Sequence, residues 1–357
     1  MKGLARLVNG GVGFVEVPMP EITSPYNAIL RPIAVTPCSS DVHAAFEVAS
    51  NKTEDWILGH ECVAEVVETG ELVKDFKKGD IVAVPSVTPD WRAYGSQEGN
   101  LTHAKGPFSS FILSGAYHGV FAEYFKVPDA DTDLCHIPEG VSIDQALMCV
   151  DVVTTGFTGV ESADIQFGDT VCVIGIGPIG LMAVAGCKLK GAGRIIAVGT
   201  RSNCVELAKE FGATDIISYK DGDIVEQVKN LTGGRGVDVA IVAGGKNKTF
   251  EQAILMTRFN GRISNINYYV DTEPLEIPML SWGKGMSGKT ITGELCKGGR
   301  VRIDRLMQLA KYQRIAPEKL ITRKYNGFDK MEQALYDMRD KPDDLVKVAV
   351  YLDKDKK

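Results

Sequence analysis

One stretch decides the fold of this chain: Thr170-Val171-Cys172-Val173-Ile174-Gly175-Ile176-Gly177-Pro178-Ile179-Gly180. Its first five residues form a short apolar run that is typical of a buried parallel strand. Apolar residues on a helical period follow the last glycine. In a G-x-G-x-x-G at such a strand-to-helix turn, the glycines allow a tight turn, close approach of a pyrophosphate and close packing of the helix. Gly175, Gly177, Pro178, Ile179 and Gly180 are therefore predicted to bind a dinucleotide.

The chain from about residue 153 alternates between strands and helices. The predicted strands are 170–175, 194–199, 215–219, 237–243 and 262–268. A helix is predicted from Ser202, a favourable N-cap, to Phe211. Because parallel strands need crossover helices, this alternation predicts a doubly wound parallel sheet.

The first 150 residues are rich in predicted strands instead. Gly10-Gly11 indicates a hairpin, and the further strands are 62–68, 80–84 and 119–127. Short strands at this spacing favour a barrel-like or sandwich domain. After about residue 295, two helices (300–312 and 330–339) precede a strand at 346–352. This part is small for a domain, so we expect it to pack onto the first part, with 353–357 as a solvated end.

Composition excludes several classes of function. The 357 residues carry a net charge of −6, which gives no basic field for nucleic acid. No apolar stretch approaches the roughly 18 residues of a membrane helix, and residues 1–5 do not begin a signal peptide. The eight cysteines form no C-x-x-C pair. This pattern is typical of reduced thiols and predicts a cytoplasmic protein with neither nucleic-acid nor membrane partners.

The end of the second predicted strand of the sheet indicates which dinucleotide binds. A fold that prefers NAD usually places an acid there to bind the ribose 2′-OH, whereas this chain has Gly199-Thr200-Arg201-Ser202. Gly199 leaves room, Thr200 offers a hydroxyl and Arg201 offers a planar fork for a 2′-phosphate. NADP(H) is therefore the predicted cofactor, although Arg201 taken alone could be an ordinary surface residue. Tyr219, at the next strand end, could stack or hydrogen-bond nearby.

Three further segments carry side chains that can bind zinc. Cys38 lies in Cys38-Ser39-Ser40-Asp41-Val42-His43, His60 follows Gly59, and Asp151 precedes the dinucleotide-binding region. A catalytic zinc takes three protein ligands of these types and keeps an open position. Spacing alone leaves ordinary alternatives: Cys38 as a buried thiol, His60 as a hydrogen-bonded core residue, and Asp151 as a helix N-cap.

A family resemblance favours the metal interpretation. Cys-x-x-Asp-x-His from Cys38, then Gly59-His60-Glu61, then the glycine motif near residue 175 resemble the zinc-dependent medium-chain alcohol dehydrogenase family over nearly the whole chain. Thr88-Pro89-Asp90-Trp91-Arg92 and Gly175 to Gly186 resemble in particular its microbial NADP-dependent secondary-alcohol dehydrogenases.

The resemblance implies an α/β protein with two domains. A GroES-like β-rich catalytic domain would consist of residues 1–152 and 296–357, and a Rossmann domain with a doubly wound parallel sheet would span 153–295. It also implies a homotetramer, small alcohol or ketone substrates, and one catalytic zinc per subunit held by Cys38, His60 and Asp151. Glu61 would be a fourth ligand when no substrate is bound, or would contact a ligand without binding the metal.

The resemblance also assigns the proton path and the substrate pocket. Ser40 would accept the hydroxyl proton, and His43 would relay it to solvent. Asp41 would hydrogen-bond His60 or cap the turn. The pocket residues implied by the resemblance, each equally readable as an ordinary core residue, are Ser86, Phe111, Tyr268, Leu295 and Cys296.

Two departures from the family pattern stand out. Alcohol dehydrogenase can hold its zinc with two cysteines and a histidine, whereas this chain offers Asp151. Cys149 lies two residues before Asp151 and could compete as a ligand, although the resemblance favours Asp151. From Ser86 to His118 there is no cysteine, so a second, structural zinc is predicted to be absent.

The leading hypothesis is therefore an NADP-dependent secondary-alcohol dehydrogenase. The alternatives are a polyol or threonine-type dehydrogenase of the same family, or a non-catalytic NADPH-binding relative of quinone reductases. Relatives of the last kind lack the zinc ligands, so the joint presence of Cys38, His60 and Asp151 argues against it.

Overall fold

The computed structural model of the chain describes residues 1–47, 52–270 and 273–352, so the expected solvated end at 353–357 lies outside the described residues. The chain divides into two compact units. The first comprises Met1–Thr154 and Lys297–Lys357, and the second comprises Thr155–Cys296.

The strands and helices are numbered in chain order. The strands are β1 (Lys2–Arg6), β2 (Val12–Glu16), β3 (Ala28–Val35), β4 (Trp56–Ile57), β5 (Cys62–Thr69), β6 (Ile81–Val84), β7 (Phe125–Val127), β8 (Cys135–His136), β9 (Thr170–Ile174), β10 (Arg194–Val198), β11 (Asp215–Ile217), β12 (Val237–Val242), β13 (Thr257–Asn265), β14 (Thr290–Gly293), β15 (Ile321–Asn326) and β16 (Lys347–Tyr351). The α-helices are α1 (Ser39–Val42), α2 (Tyr94–Gln97), α3 (Ala130–Asp133), α4 (Ile143–Met148), α5 (Thr154–Ser162), α6 (Pro178–Leu189), α7 (Ser202–Phe211), α8 (Ile224–Leu231), α9 (Asn247–Met256), α10 (Arg300–Lys311) and α11 (Met331–Asp340). Two π-helical turns, His43–Glu47 and Cys149–Val153, continue α1 and α4.

The first unit is built on a seven-stranded sheet. Its strand order is β15-β16-β3-β5-β6-β8, β7 pairs with β3, and a separate three-stranded sheet has the order β2-β1-β4. The late strand β16 pairs antiparallel with β3 through Val350 and Val35, so residues after 296 do pack onto the first part of the chain. Leu30, Val66 and Phe125 lie in its buried core with Leu335 of α11.

The strand predicted at 119–127 is shorter in the structure. Regular pairing covers only Phe125–Val127. Before it, the backbone bonds in turn to two different segments: Gly119 N donates to Ile57 O, whereas Glu123 N donates to Lys2 O. An apolar run predicts burial but not a single partner strand, so the sequence indicated one long strand where the chain bridges two neighbours.

The second unit contains a six-stranded sheet in the order β11-β10-β9-β12-β13-β14. All five pairings between its neighbouring strands are parallel. Counted from β9, the order is 3-2-1-4-5-6, the doubly wound arrangement in which a dinucleotide binds where the order reverses. The predicted α/β class with a parallel sheet is confirmed. Several details differ. β11 ends at Ile217 rather than 219, β13 spans Thr257–Asn265 rather than 262–268, β14 was not predicted, and Arg201, not Ser202, is the N-cap of α7.

Candidate metal and cofactor sites

Four buried side chains of the first unit form one cluster. They are Cys38, His60, Glu61 and Asp151, and one potential ligand atom from each lies within 4.8 Å of the others. It is the one such group found among the described residues that could hold a metal ion. The structure thus brings together the four side chains that the sequence placed in three separate segments.

Asp41 ties two of these segments to each other. Its Oδ2 accepts a hydrogen bond from the backbone N of Cys38 at 2.8 Å, and its Oδ1 accepts one from Gly59 N at 3.1 Å. Oδ1 also lies 3.2 Å from His60 Nδ1. Both interpretations of Asp41, as a turn cap and as a partner of His60, are therefore compatible with the contacts it makes.

Gly59 is needed where the chain enters the cluster. Its φ is +96°, and a Cβ there would lie 2.3 Å from Cδ1 of Phe121. Any other residue would be strained by this backbone conformation and would collide with the buried ring. The glycine therefore allows His60 and Glu61 to follow directly into the core before β5.

Asp151 lies in the middle of the π-helical turn Cys149–Val153. The alternative of Asp151 as a helix N-cap is wrong, because the helical backbone begins upstream at α4, where Ser142 is the cap. Cys149 is fully buried, and burial raises the pKa of its thiol well above the usual value. It is not one of the four clustered side chains, so the turn presents the carboxylate rather than the thiol.

Carboxylate and hydroxyl groups lie close to both nitrogens of the His60 ring. Its Nε2 lies 3.6 Å from Asp151 Oδ2 and 3.2 Å from Ser40 Oγ. Burial disfavours a charge on this imidazole, but the carboxylates of Asp41 and Asp151 outweigh burial and raise its pKa well above the usual value. A metal ion that binds here must therefore displace a proton.

Glu61 is paired with a lysine from a distant strand. The Nζ of Lys347 in β16 lies 2.7 Å from Glu61 Oε1, and the two side chains are 2% and 0% exposed. Burial raises the pKa of Glu61, and the Lys347 ammonium pulls it back down. Burial opposes the charge on Lys347, but Glu61, Cys38 and Asp151 raise its pKa well above the usual value.

The cluster fits a zinc ion. Thiolate, imidazole and carboxylate are the donors that zinc takes in proteins. Oε2 of Glu61 is buried and has no hydrogen-bond partner among the described residues, which is costly unless another group, such as a cation, compensates it. A metal ion would also relieve the repulsion between the two buried carboxylates.

His43 contacts Glu47, and Phe111 lies against the cluster. His43 Nδ1 lies 2.6 Å from Glu47 Oε2, one turn further along the chain, and Ser40 Oγ is the group that contacts His60. The ring of Phe111 packs edge-on to His60, with centroids 4.9 Å apart. Phe111 thus gives one wall of the cluster an apolar surface.

The glycine motif of the second unit has the geometry that a dinucleotide requires. Gly175 has φ +93°, and a Cβ there would lie 2.9 Å from the backbone of Gly244 at the next strand end. A Cβ on Gly180 would lie 2.0 Å from the carbonyl oxygen of Gly175. Gly177 is the N-cap of α6, and Pro178 begins that helix. The backbone N–H groups of this helix start can therefore receive an anion.

The predicted NADP-selecting residues lie beside this loop. The Arg201 guanidinium lies close to Gly177 of the motif. A Cβ added to Gly177 would be 3.7 Å from Nη2 of Arg201. Thr200 Oγ1 donates to Tyr219 OH at 2.9 Å, so these two predicted residues are linked. A Cβ on Gly199 would lie 2.3 Å from Ile176, so this glycine makes room for a side chain of the motif.

The five predicted pocket residues are distributed over both units. Ser86 is buried in the first unit and its hydroxyl donates to Val150 O. Tyr268 and Cys296 belong to the second unit, the former half exposed and the latter buried. Leu295 also belongs to the second unit.

Sequence comparisons identify the family of the chain. A family model described as alcohol dehydrogenase GroES-like domain matches residues 24–139, and one described as zinc-binding dehydrogenase matches residues 178–311. An NADP-dependent isopropanol dehydrogenase from Thermoanaerobacter brockii is 51% identical over 352 residues, 99% of this chain and 100% of that protein. The chain belongs to the zinc-binding alcohol dehydrogenase family.

Further members of this family support the assignment. An NADP-dependent isopropanol dehydrogenase from Entamoeba histolytica is 47% identical over 98% of this chain and 95% of that protein. The solved structure of zinc dependent alcohol dehydrogenase 2 from Streptococcus pneumonia, in its apo form, is similar with a TM-score of 0.88, 30% identity and 99% coverage of both chains.

Two residues of the site were not found by sequence reasoning. Lys347 stands in an apolar strand, Val346-Lys347-Val348-Ala349-Val350. A single charged residue in an apolar strand could have indicated a buried ion pair, but the sequence does not show which acidic residue pairs with it. Glu47 is four residues after His43, the spacing at which helical side chains meet.

A search for membrane spans among the described residues found no helix with the length and apolar character to cross a bilayer.

Proposed function

We propose that this protein is a zinc-dependent, NADP(H)-dependent alcohol dehydrogenase that interconverts small secondary alcohols and ketones. The observation that carries the proposal is the buried cluster of thiol, imidazole and carboxylate groups in the first unit. The NADP-dependent isopropanol dehydrogenases that align with almost the whole chain support the choice of cofactor and substrate.

Cys38, His60 and Asp151 would hold the zinc, with Glu61 beside them. Bound zinc supplies a Lewis acid that lowers the pKa of an alcohol or polarises a ketone. Asp41 orients the His60 ring through its contact with Nδ1, so that Nε2 faces the cluster. The same cluster argues against the alternative of a non-catalytic relative of quinone reductases, because such a protein would not need buried zinc ligands.

Ser40 and His43 would carry the proton. The Ser40 hydroxyl lies 3.2 Å from His60 Nε2, which supports its proposed role in accepting a proton from the substrate hydroxyl. The Nδ1 of His43 lies 2.6 Å from Glu47 Oε2, so the ring would pass a proton to this carboxylate. Glu47 is half exposed, so the path ends at water.

The second unit would bind the dinucleotide. Bound NADP⁺ supplies the hydride acceptor, and NADPH the donor, for the reaction. Gly175, Gly177 and Gly180 let the backbone approach the pyrophosphate at the start of α6. Arg201 would pair with the 2′-phosphate, with Thr200 and Tyr219 beside it.

We also propose the assignment of domains, assembly and location. The catalytic domain would be residues 1–152 and 296–357 and the cofactor domain 153–295, which the division into compact units supports. A homotetramer agrees with the exposure of Leu280 and Met286, which are 80% and 85% exposed. A cytoplasmic location agrees with eight cysteines that are all free.

Initial rates with 2-propanol and ethanol, each with NADP⁺ and with NAD⁺, test the proposal. We expect fast reduction of NADP⁺ with 2-propanol, a weak rate with ethanol, and about one zinc per chain by elemental analysis. A preference for NAD⁺ would contradict the role of Arg201. A zinc-containing protein that oxidises neither alcohol would point to polyols or amino-alcohols, and a protein purified without metal would revive the non-catalytic alternative.

A further inference from the structure

Lys347 is a buried cation with no role in the proposed reaction. All five residues of β16 are buried, and Lys347 is the first of them. Its ammonium lies 2.7 Å from Oε1 of Glu61, with both side chains almost completely excluded from water. A charged lysine at such depth needs a fixed partner. The two residues are 286 positions apart, so the pair is a product of the tertiary fold.

The pair divides the two oxygens of Glu61 between different partners. Oε1 accepts from Lys347, whereas Oε2 is buried without a hydrogen-bond partner in the part of the chain that the structure describes. The potential ligand atoms of Cys38, His60 and Asp151 lie within 4.8 Å of the Glu61 carboxylate and of one another. The Glu61 carboxylate is thus anchored on one side by an ammonium, while its other oxygen accepts no hydrogen bond from residues 1–47, 52–270 or 273–352.

A charge count gives the ammonium a function. A thiolate and two carboxylates bring three negative charges to the cluster, and a divalent zinc brings two positive charges. The Lys347 ammonium supplies a third positive charge, which offsets the surplus negative charge of the four clustered side chains when the metal is bound. Without the Lys347 ammonium, the cation nearest to the Glu61 carboxylate would be the metal ion itself.

We propose that Lys347 is a positioning residue that holds Glu61 away from permanent ligation of the zinc. A catalytic zinc needs three protein ligands and an open fourth position. By binding one oxygen of Glu61, Lys347 keeps that position available to substrate while the carboxylate stays close. This inference rests on the proposed zinc-dependent function and adds to it a residue that sets the coordination of the metal.

The test compares zinc release from the zinc-loaded chain and its Lys347→Met variant. Each protein is mixed with an excess of a chromogenic chelator, and the absorbance of the zinc–chelator complex is followed with time. In Lys347→Met the freed Glu61 carboxylate becomes a fourth ligand, so we expect release to be at least tenfold slower. Lys347→Arg keeps the charge and should release zinc at the wild-type rate.

Two further variants separate this role from a structural one. Lys324→Met removes an ammonium from the neighbouring strand β15, where it pairs with Asp144 at 2.5 Å, and should leave the release rate unchanged. The double variant Glu61→Gln/Lys347→Met removes the competing carboxylate as well and should return the rate to the wild-type range. The visible bands of the cobalt-substituted proteins should follow the same order, with a change in Lys347→Met that the double variant reverses.

The outcomes are distinct. If Lys347→Met releases zinc at the wild-type rate or faster while the wild-type chain retains zinc, this inference is overturned and the proposed function stands. If the wild-type chain retains no zinc, both are overturned. Should Lys347→Met not fold, Lys347→Gln carries the comparison: it keeps a donor to Glu61 but no charge, so we expect a smaller slowing than for Lys347→Met, and release at the wild-type rate or faster would overturn the inference.

Discussion

Replacing Asp41 by asparagine tests how the metal cluster is held together. The two Asp41 oxygens have different partners: Oδ2 accepts from Cys38 N, and Oδ1 accepts from Gly59 N and lies 3.2 Å from His60 Nδ1. Asparagine keeps the shape but has only one oxygen. In Asp41→Asn, one of these sides must therefore face an NH₂ group, which cannot accept a hydrogen bond.

The contacts set the expected magnitude. Asp41 is 1% exposed, so no water replaces the lost acceptor, and a buried unsatisfied N–H costs about 1–3 kcal/mol. We expect the free energy of unfolding to fall by about 2 kcal/mol. Loss of a partner that orients a metal-binding histidine typically weakens metal affinity by about 10- to 100-fold, and we expect zinc affinity to fall within that range.

A matched substitution elsewhere supplies the control. Asp223, the N-cap of α8, also accepts two backbone hydrogen bonds, but both go to the same oxygen, Oδ1. Asp223→Asn retains that oxygen, and asparagine is as good an N-cap as aspartate. Its stability should change by only a few tenths of a kcal/mol, and its zinc affinity should not change.

Competition titrations with a fluorescent zinc chelator, together with urea unfolding of the metal-free proteins, measure both effects. Weaker zinc binding in Asp41→Asn than in Asp223→Asn would support Asp41 as the partner that orients His60. If Asp41→Asn loses stability but binds zinc as tightly as wild type, Asp41 serves only to cap the loop, and the reasoning about His60 is refuted.

Three further changes give clear expectations. Arg201→Ala should weaken NADP⁺ far more than NAD⁺, because the guanidinium is the charged group predicted to bind the 2′-phosphate; equal losses in fluorescence titrations with the two dinucleotides would contradict this role. Gly180→Ala should abolish dinucleotide binding, since the added Cβ would lie 2.0 Å from the carbonyl oxygen of Gly175; a variant that still gains thermal stability from NADP⁺ would show that the loop can move aside. Burial lowers the pKa of Lys289 from 10.5 to about 8, so between these values the unfolded chain binds more protons and stability rises with pH. Lys289→Met should lack this rise with pH. Near pH 7 its free energy of unfolding should exceed that of the wild type by roughly 1 kcal/mol, allowing for solvent screening. If the free energies of unfolding of variant and wild type run parallel with pH, this expectation is disproved.

The second unit was largely predictable because its signals are local. The glycine motif and the apolar runs around it depend on neighbours in sequence, and β9, β10 and β12 fall within a residue of the predicted strands. The error at β13 has a simple cause: Thr257–Asn265 contains Arg258, Asn260 and Arg262, so its first half lacks the apolar pattern on which the prediction relied.

The metal cluster was predictable only in part. Spacing left Cys38, His60 and Asp151 with ordinary alternatives, and family resemblance was needed to favour the metal interpretation. Lys347 could not be placed at all, because hydrophobic periodicity predicts that a strand is buried but not which charged group a buried lysine meets. The partner depends on the pairing of β16 with β3, which is a property of the tertiary fold.

The distance in sequence between Lys347 and Glu61 has a consequence for biosynthesis. The second unit, Thr155–Cys296, is continuous and can fold while the ribosome is still translating. The first unit cannot, because β16 must emerge before it can pair with β3 and before its lysine can neutralise the carboxylate. Until β16 has emerged, the Glu61 carboxylate therefore has no Lys347 counter-ion, and the four clustered side chains can reach their mature arrangement only after synthesis is nearly complete.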